Sequence, residues 1–294
     1  MCANHLLPGG ELRGLFVGLA TIDLVYDVVA FPEPDQKIGA LSQQVYVGGP
    51  ATNAAIAFAH LGGQAALAAA VGCHPLAGVV RAELGRFGVR LADLHPGFGG
   101  VPAISAVAVD AAGRRTVVSA NAARIGATVA EPDAELCRWA QIVEVDGHQM
   151  QACRQWAAAA RAQGAHVVLD GGSWKPGTEE LLPQVDTAIC SADFHPPGCA
   201  SEDEAIAFLA AAGVRQIAIT HGAAAVRWAR GDERGSLAVP RVQTVDTMGA
   251  GDIFHGAFCA AFARGAQFAD ALAAAAEVAA HSCRFHGTRE WMRA

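Results

Sequence analysis

Residues 245–258, VDTMGAGDIFHGAF, decide the fold of this chain. The stretch passes through a Gly-Ala-Gly-Asp turn at 249–252 and then becomes apolar at helical spacing. A glycine-rich turn that runs into a helix presents unpaired N–H groups and the positive end of the helix dipole at one point in space. The sequence therefore predicts an anion site at a helix N-terminus, with the carboxylate of Asp252 at its mouth.

By length and composition the chain is one large α/β domain or two small ones; because the sequence contains no linker or clear domain boundary, we predict a single domain over residues 1–294. With 52% hydrophobic and 17% charged residues, a chain of 294 residues can bury an extensive core. The net charge is −7 and no run of Lys or Arg occurs, so neither nucleic acid nor an anionic membrane is an expected partner. A small molecule is the expected ligand.

Cysteine usage and the start of the chain both predict a cytoplasmic protein. The eight cysteines are scattered without a C-x-x-C pair, and we expect them to be reduced thiols. The first 14 residues lack the basic and apolar regions of a secretory signal. The most apolar stretches, 65–71 and 269–280, are too short or too broken to span a bilayer.

Strand and helix patterns alternate along most of the chain, as they do in βαβ units. Strands are predicted at 15–19, 65–71, 142–146, 167–169, 187–189 and 217–220, and helices at 75–87, 150–163, 201–212 and 268–284. The carboxyl ends of parallel strands meet at one edge of a sheet, where ligands collect. The loops at 146–148, 170–172, 191–193 and 220–222 are therefore expected to line one site.

Two segments carry strand patterns outside this alternation. Residues 24–47 combine β-branched and polar residues around two prolines, and no helical period survives. Residues 101–121 contain two extended runs, 103–110 and 115–120, around a four-residue turn. We predict that these two insertions form a small separate sheet that acts as a lid.

A second glycine motif, GGPATNAAIAFAHLGG, occupies residues 48–63. Gly48 and Gly49 precede a helix of small residues and allow a close backbone approach to a ligand. Asn53 lies in the first turn of that helix, where it can cap the helix or contact a ligand. Asp23 follows the first strand, where it can order a turn or bind a ligand. The residues alone leave both choices open.

Together, the segments at 48–63 and 245–258 resemble the two signature segments of the PfkB, or ribokinase-like, carbohydrate kinases. The likeness extends over essentially the whole chain. The stretches GLATIDLVYDV, GRRTVV and AAHSCRFHG are most similar to ketohexokinases and sulfofructose kinases. The resemblance implies a ribokinase-like three-layer α/β/α sandwich with a small β-sheet lid.

The resemblance also implies transfer of the γ-phosphoryl group of ATP to a hydroxymethyl group of a monosaccharide. Asp252 matches the catalytic base of the family, which accepts the hydroxyl proton. The N–H groups of Gly249, Ala250 and Gly251 match its anion hole. The alternative is that Asp252 merely caps its helix.

For the sugar, Asp23 and Asn53 match family positions that hold hydroxyl groups, and Gly48 and Gly49 match the backbone segment that touches the sugar. Basic residues that could reach an anionic substituent from the lid are Lys37, Arg114 and Arg115. Of these, Arg115 resembles a ketohexokinase arginine near the nucleotide and the sugar.

For the nucleotide, the resemblance places Thr220 and Gly222 under the phosphates together with Gly249 and Gly251, and Cys283 beside the adenine. Asp246 resembles the residue that supports a monovalent cation such as K⁺, or it simply orders the turn.

The resemblance also makes Mg²⁺ an expected cofactor. The N-x-x-E segment, which arranges Mg²⁺ water in the family, is here Ser191-Ala192-Asp193-Phe194 and lacks the glutamate. Ser191 is thus the remaining nucleotide-binding residue of that segment, and Asp193 is a possible substitute for the glutamate.

Two alternatives to a sugar kinase follow from these patterns: a nucleoside kinase, and a protein of the same fold that binds sugar or nucleotide with impaired catalysis. A nicotinamide-dependent dehydrogenase is excluded because no G-x-G-x-x-G follows the first strand. The resemblance further implies a homodimer formed through the lid, which would protect its sheet edges.

Overall fold

The structure is a computed structural model and describes residues 11–120, 125 and 131–294. Its strands are β1 (Arg13–Val17), β2 (Thr21–Asp27), β3 (Ser42–Gly48), β4 (Gln64–Ala69), β5 (Arg90–Asp93), β6 (Ile104–Val109), β7 (Arg115–Ala120), β8 (Ile142–Val145), β9 (His166–Gly171), β10 (Thr187–Ser191), β11 (Gln216–His221), β12 (Ala224–Arg230) and β13 (Glu233–Leu237). Its α-helices are α1 (Pro50–His60), α2 (Ala77–Arg86), α3 (Ala134–Trp139), α4 (Met150–Arg161), α5 (Thr178–Leu181), α6 (Glu202–Ala211), α7 (Ala250–Ala263) and α8 (Phe268–Ser282).

Nine strands form a central sheet in the order β13-β12-β11-β10-β9-β8-β1-β4-β5. The pairs from β11 through β5 are parallel, and β12 and β13 extend the sheet as an antiparallel hairpin. Helices α3 to α6 pack on one face, and α1, α2, α7 and α8 pack on the other. The predicted three-layer α/β/α arrangement is therefore confirmed.

Burial on both faces explains why the central strands are predominantly apolar. In β1, Leu15 and Val17 belong to the core on one face, while Phe16 belongs to the core on the other. Phe16 packs edge-on against Phe58 of α1, with ring centroids 5.4 Å apart. Alternating residues of one strand thus supply two separate hydrophobic cores.

Strands β2, β3, β6 and β7 form a second, four-stranded sheet in the order β3-β2-β6-β7. We call it the small sheet. Both strand pairs that the sequence predicted outside the main sheet are present, although β2 begins at Thr21 rather than at residue 24. In the turn between β6 and β7, the carboxylate of Asp110 accepts hydrogen bonds from the N–H groups of Ala112 and Arg114. Residue 121, the predicted end of the second insertion, lies outside the described residues.

The predicted main strands and helices are present with ends shifted by a few residues. Sequence reasoning missed β5, α3 and α5, which are four, six and four residues long and too short for a clear hydrophobic period. One signal could have found α3: the side chain of Asp133 caps it by accepting from the N–H groups of Glu135 and Leu136.

The parallel registers bring the carboxyl ends of β1, β8, β9, β10 and β11 to one edge of the main sheet. The N-termini of α1 and α7 lie at the same edge, because the first-turn residues Asn53 and Asp252 are in contact there. Among the described residues, no helix is long and apolar enough to cross a membrane.

Candidate active site

Gly249 forms the turn that starts α7, and its backbone requires glycine. Its φ of 67° lies in the left-handed region, which side chains other than glycine adopt at a cost. A Cβ atom there would lie 2.6 Å from Cγ2 of Thr288, closer than any real contact. The turn is therefore fixed both by its backbone conformation and by the C-terminal segment packed against it.

The N–H groups of this turn converge at the N-terminus of α7. Among the described residues, the N–H groups of Gly249 and Gly251 have no hydrogen-bond acceptor, whereas that of Ala250 donates to the carbonyl of Thr247 at 3.3 Å. Helix α7 is 14 residues long and points its positive dipole end at the same place. The geometry suits an anion.

Asp252 lies in the first turn of α7, partly buried. Its Oδ2 atom accepts a hydrogen bond from Nδ2 of Asn53 at 2.7 Å. The pKa of Asp252 is raised to about 7, mainly by burial and also by the nearby charge of Asp170, while the hydrogen bond from Asn53 acts in the opposite direction. A carboxylate that titrates near neutral pH is suited to accept a proton.

The amide of Asn53 is oriented by Arg289, which sequence reasoning missed. Nη1 of Arg289 donates to Oδ1 of Asn53 at 3.0 Å, so the amide nitrogen must face Asp252. The same buried guanidinium donates to the carbonyl of Val47 at 2.7 Å and contacts Glu83 at 3.3 Å. Asn53 does not cap α1, whose N-cap is Gly49. Arg289 thus connects the small sheet to Asp252.

Asp23 lies in β2, beside the end of β3. The carboxylate of Asp23 packs against Gly48, where a Cβ atom would lie 2.0 Å from Oδ2. Burial raises the pKa of Asp23, while hydrogen bonds from Ser105 and Thr21 lower it. Gly49 has a φ of 99°, and a Cβ atom there would lie 2.3 Å from the carbonyl oxygen of Leu19. Both glycines are required by close packing of the chain itself.

Asp146 directly follows β8 and is buried, and its carboxylate accepts hydrogen bonds from backbone N–H groups. Its Oδ2 atom accepts from the N–H groups of Leu19 and Ala51 at 2.8 and 3.2 Å, and Oδ1 accepts from His148 at 2.8 Å. The loop after β1 and the start of α1 are therefore tied to β8. This arrangement fixes the positions of Asp23 and Asn53 relative to the main sheet.

A large pocket of about 620 Å³ adjoins this turn. Four of the residues predicted to bind the nucleotide line it together: Thr220, Gly222, Gly251 and Cys283. Ala250 and His255 of α7 also line it, whereas Gly249 does not. Ser191 instead lines a separate cavity of about 210 Å³, and its hydroxyl donates to the carbonyl of Gly172 at 2.8 Å.

Arg115 of β7 forms an ion pair with Asp246, just before the α7 turn. It also donates to Oγ1 of Thr247 at 3.3 Å. The other oxygen of Asp246 accepts from the N–H of Gly287 at 2.9 Å. In this structure the carboxylate proposed for a monovalent cation is thus neutralised by an arginine of the small sheet. Lys37 lies exposed in the loop between β2 and β3.

The segment 191–194 does not fit the magnesium role implied by its position. Phe194 stands where the family has glutamate; it is buried and packs edge-on against Trp174 with ring centroids 5.4 Å apart. Asp193 is exposed at the surface. The side chains at 191–194 therefore offer Mg²⁺ no buried carboxylate.

Comparison with known proteins identifies the family and the fold of the chain. The chain matches the pfkB family carbohydrate kinase domain over residues 14–293. A putative ribokinase from Agrobacterium tumefaciens is 27% identical, with a TM-score of 0.84 over 97% of this chain and 98% of that one. Ribokinase from Arabidopsis thaliana, solved with ribose and ATP, is 23% identical, with a TM-score of 0.76 over 95% and 94% of the two chains.

Adenosine kinase from Sinorhizobium meliloti is 19% identical, with a TM-score of 0.77 over 95% of this chain and 96% of that one. These structures share the large sheet flanked by helices, so the predicted ribokinase-like fold is confirmed. Since the domain match spans nearly the whole chain, the protein belongs to the pfkB family of carbohydrate kinases, which are phosphotransferases with an alcohol group as acceptor.

Proposed function

We propose that the protein transfers the γ-phosphoryl group of ATP to a hydroxymethyl group of a monosaccharide, with Asp252 as the catalytic base. One observation carries this proposal. The first turn of α7 has Ala250 and Gly251 on the wall of the large pocket, while Asp252 next to them contacts Asn53 on the side of the small sheet. A phosphate in the pocket and a hydroxyl group beside Asn53 would meet at Asp252.

Phosphoryl transfer mainly requires that the two substrates are positioned and that the negative charge on the transferring group is stabilised. A bond forms between the acceptor oxygen and the γ-phosphorus, and the bond from that phosphorus to the oxygen shared with the β-phosphate breaks. Asp252 takes the proton that leaves the acceptor hydroxyl. The N–H groups of Gly249 and Gly251, with the N-terminus of α7, face the negative charge on the transferring group.

The large pocket supports ATP as the donor. A volume of about 620 Å³ lies in the range of small-molecule sites, which span about 300–1,000 Å³. Its walls include the alanines of α8 and Cys283, which offer an apolar surface to a base. Thr220 and Gly222 lie at the end of β11, where a phosphate chain can reach the α7 turn.

The charges around the sugar side favour a neutral monosaccharide. Asp23 and Asn53 supply acceptors and a donor for hydroxyl groups. Two of the three basic residues considered for an anionic substituent have carboxylate partners, Arg114 with Asp110 and Arg115 with Asp246. We therefore rank neutral ketoses and ribose-like sugars above a sulfosugar.

A phosphorylation screen tests the proposal. The purified chain is incubated with ATP and a panel of ketoses, aldoses, deoxy-sugars, one sulfosugar and nucleosides, with and without Mg²⁺ and K⁺. We expect ATP consumption with a neutral monosaccharide, and a phosphorylated sugar by mass spectrometry. Preference for a nucleoside would replace the sugar kinase with a nucleoside kinase. Binding of sugar and ATP without turnover of any acceptor would favour an impaired binding protein.

The pH dependence of turnover tests Asp252 as the base. Because burial raises the pKa of Asp252 to about 7, we expect kcat/KM for the sugar to fall as the pH drops below about 7. An aspartate of ordinary pKa would keep the profile flat down to about pH 4. In Asn53→Leu the hydrogen bond that lowers this pKa is lost, so the acid limb should move to higher pH. A flat wild-type profile between about pH 5 and 7 contradicts the assignment.

We also propose that the small sheet pairs with that of a second copy. Strand β7 is its outer strand, and the side chains of Val117 and Val118 are 54% and 72% exposed. An open apolar sheet edge is normally covered. Light scattering should give the mass of two chains for the wild type and of one chain for Val118→Glu. A wild-type mass of one chain would contradict the dimer.

The reaction is proposed for the cytoplasm. The described cysteines are all free thiols, in keeping with a reducing compartment.

A further inference from the structure

Three ionisable side chains from different elements meet beneath the α7 turn: Glu144 of β8, Asp170 of β9 and His255 of α7. Strands β8 and β9 are parallel neighbours with Glu144 opposite Val168, so both carboxylates project from the same face of the sheet, the face that α7 covers. A ligand atom of each of the three lies within 4.8 Å of the others. We call these three residues the buried triad.

Among the residues that the structure describes, two members of the triad, Glu144 and His255, have buried polar atoms without a partner. Glu144 is fully buried, and within the described part of the chain neither of its carboxylate oxygens has a hydrogen-bond partner; the same holds for Nδ1 of His255. Nε2 of His255 lies 3.4 Å from Oδ1 of Asp170. No described Lys or Arg forms an ion pair with either carboxylate. Burying such groups unpaired is costly, so a cation or a proton must balance them.

We propose that the buried triad holds one divalent transition-metal ion of the Zn²⁺, Mn²⁺ or Fe²⁺ class. One imidazole and two carboxylates form a ligand set that suits these ions, whereas Mg²⁺ and Ca²⁺ prefer oxygen ligands alone. Ligands about 2.0–2.2 Å from a metal lie about 3–4 Å from one another, so small side-chain rotations bring the present atoms into range.

The position of His255 indicates how the ion would enter and what it would stabilise. His255 lines the large pocket, so an ion can enter from there. Once bound, the ion would join α7, which carries Asp252 three residues before His255, to two central strands of the main sheet. It would thereby fix the helix that presents the anion site. The ion is distinct from any cation that accompanies ATP, and the proposal stands whether or not the chain is a sugar kinase.

Metal analysis of the untagged full chain, without nucleotide, tests the proposal. We expect about one divalent ion per chain after dialysis. Replacing that ion with Co²⁺ should give visible absorption bands from a site with a nitrogen ligand. Glu144→Gln, which keeps the shape and removes the charge, should bind Co²⁺ at least about 100-fold more weakly. His166→Gln, a change of a half-buried histidine at the far end of β9, should bind like the wild type.

Two results would overturn the proposal. One is a wild-type chain that neither retains an ion nor binds added Zn²⁺, Mn²⁺ or Co²⁺, which would mean that a shared proton balances the carboxylates. The other is Co²⁺ binding that is equal in Glu144→Gln and wild type. Should Glu144→Gln fail to fold, the wild type alone decides: chelation must lower its melting temperature, and Zn²⁺ must restore it.

Discussion

Replacing Asp252 with Asn should lower kcat by about 10²- to 10⁴-fold while the protein stays folded. The amide has the shape of the carboxylate and can still accept a hydrogen bond from Asn53, which donates to Oδ2 of Asp252 at 2.7 Å in this structure. It cannot accept the hydroxyl proton of a sugar. Because the pocket proposed for ATP is unchanged, KM for ATP should remain close to the wild-type value. Steady-state kinetics with the best sugar from the screen measures both quantities.

Asp270→Asn is the matched control for this variant. Asp270 is exposed in the first turn of α8, as Asp252 is in the first turn of α7. Its loss removes a favourable interaction with a helix dipole, about 0.3–1 kcal/mol of stability, and should leave kcat unchanged. Wild-type turnover in Asp252→Asn would remove Asp252 from the mechanism, whatever the control does.

Replacing Gly249 with Ala should reduce both stability and turnover. The left-handed backbone costs a residue with a Cβ atom about 1–2 kcal/mol. The new methyl group would also lie 2.6 Å from Cγ2 of Thr288 and 3.4 Å from Nδ2 of Asn53. The turn must therefore shift, and with it the N–H groups proposed to face the phosphoryl group. Loss of such donors costs about 10²- to 10³-fold in kcat.

Two further variants separate the causes. Gly78→Ala places a methyl group in open space in α2, where no clash occurs, so it should be neutral or stabilising by up to about 1 kcal/mol. Thr288→Ser in the Gly249→Ala background removes the methyl group that clashes. The double variant should therefore regain part of the activity, but it should not regain the stability that the left-handed backbone conformation costs. Melting temperature and kcat are measured on all of them. Full activity in Gly249→Ala alone would show that the turn geometry is dispensable.

The sequence was most informative where chemistry is local. The turn at 249–252 was predicted because glycines, a carboxylate and a helical period occur side by side, and Gly249 adopts the left-handed conformation that such a turn needs. The central strands could be recognised in the sequence by their apolar runs, which occur because helices cover both faces of the sheet. Short elements such as β5 and α3 have too few residues to show a hydrophobic period, so they were not predicted.

Contacts between residues that are far apart in the chain could not be predicted from the sequence in this way. Arg289 contacts Asn53 across 236 positions of the chain, and Asn53 contacts Asp252 across 199. Asp246 and Arg115 were assigned separate roles from the sequence, whereas the structure pairs them. None of these contacts produces a pattern in the neighbouring sequence, because each depends on which strands and helices lie side by side in the fold.

By itself, the sequence determined the α/β class, the ribokinase-like resemblance and the position of the carboxylate at the turn for which we propose anion binding. These features depend on spacing within a few residues and on backbone conformations that only glycine adopts at low cost. The tertiary structure alone decided that Arg289 orients Asn53, that Arg115 neutralises Asp246, and that Glu144, Asp170 and His255 meet in the core. Folding brings these groups within a few ångströms of one another, and only at that distance, away from water, do their charges and hydrogen bonds act on each other strongly.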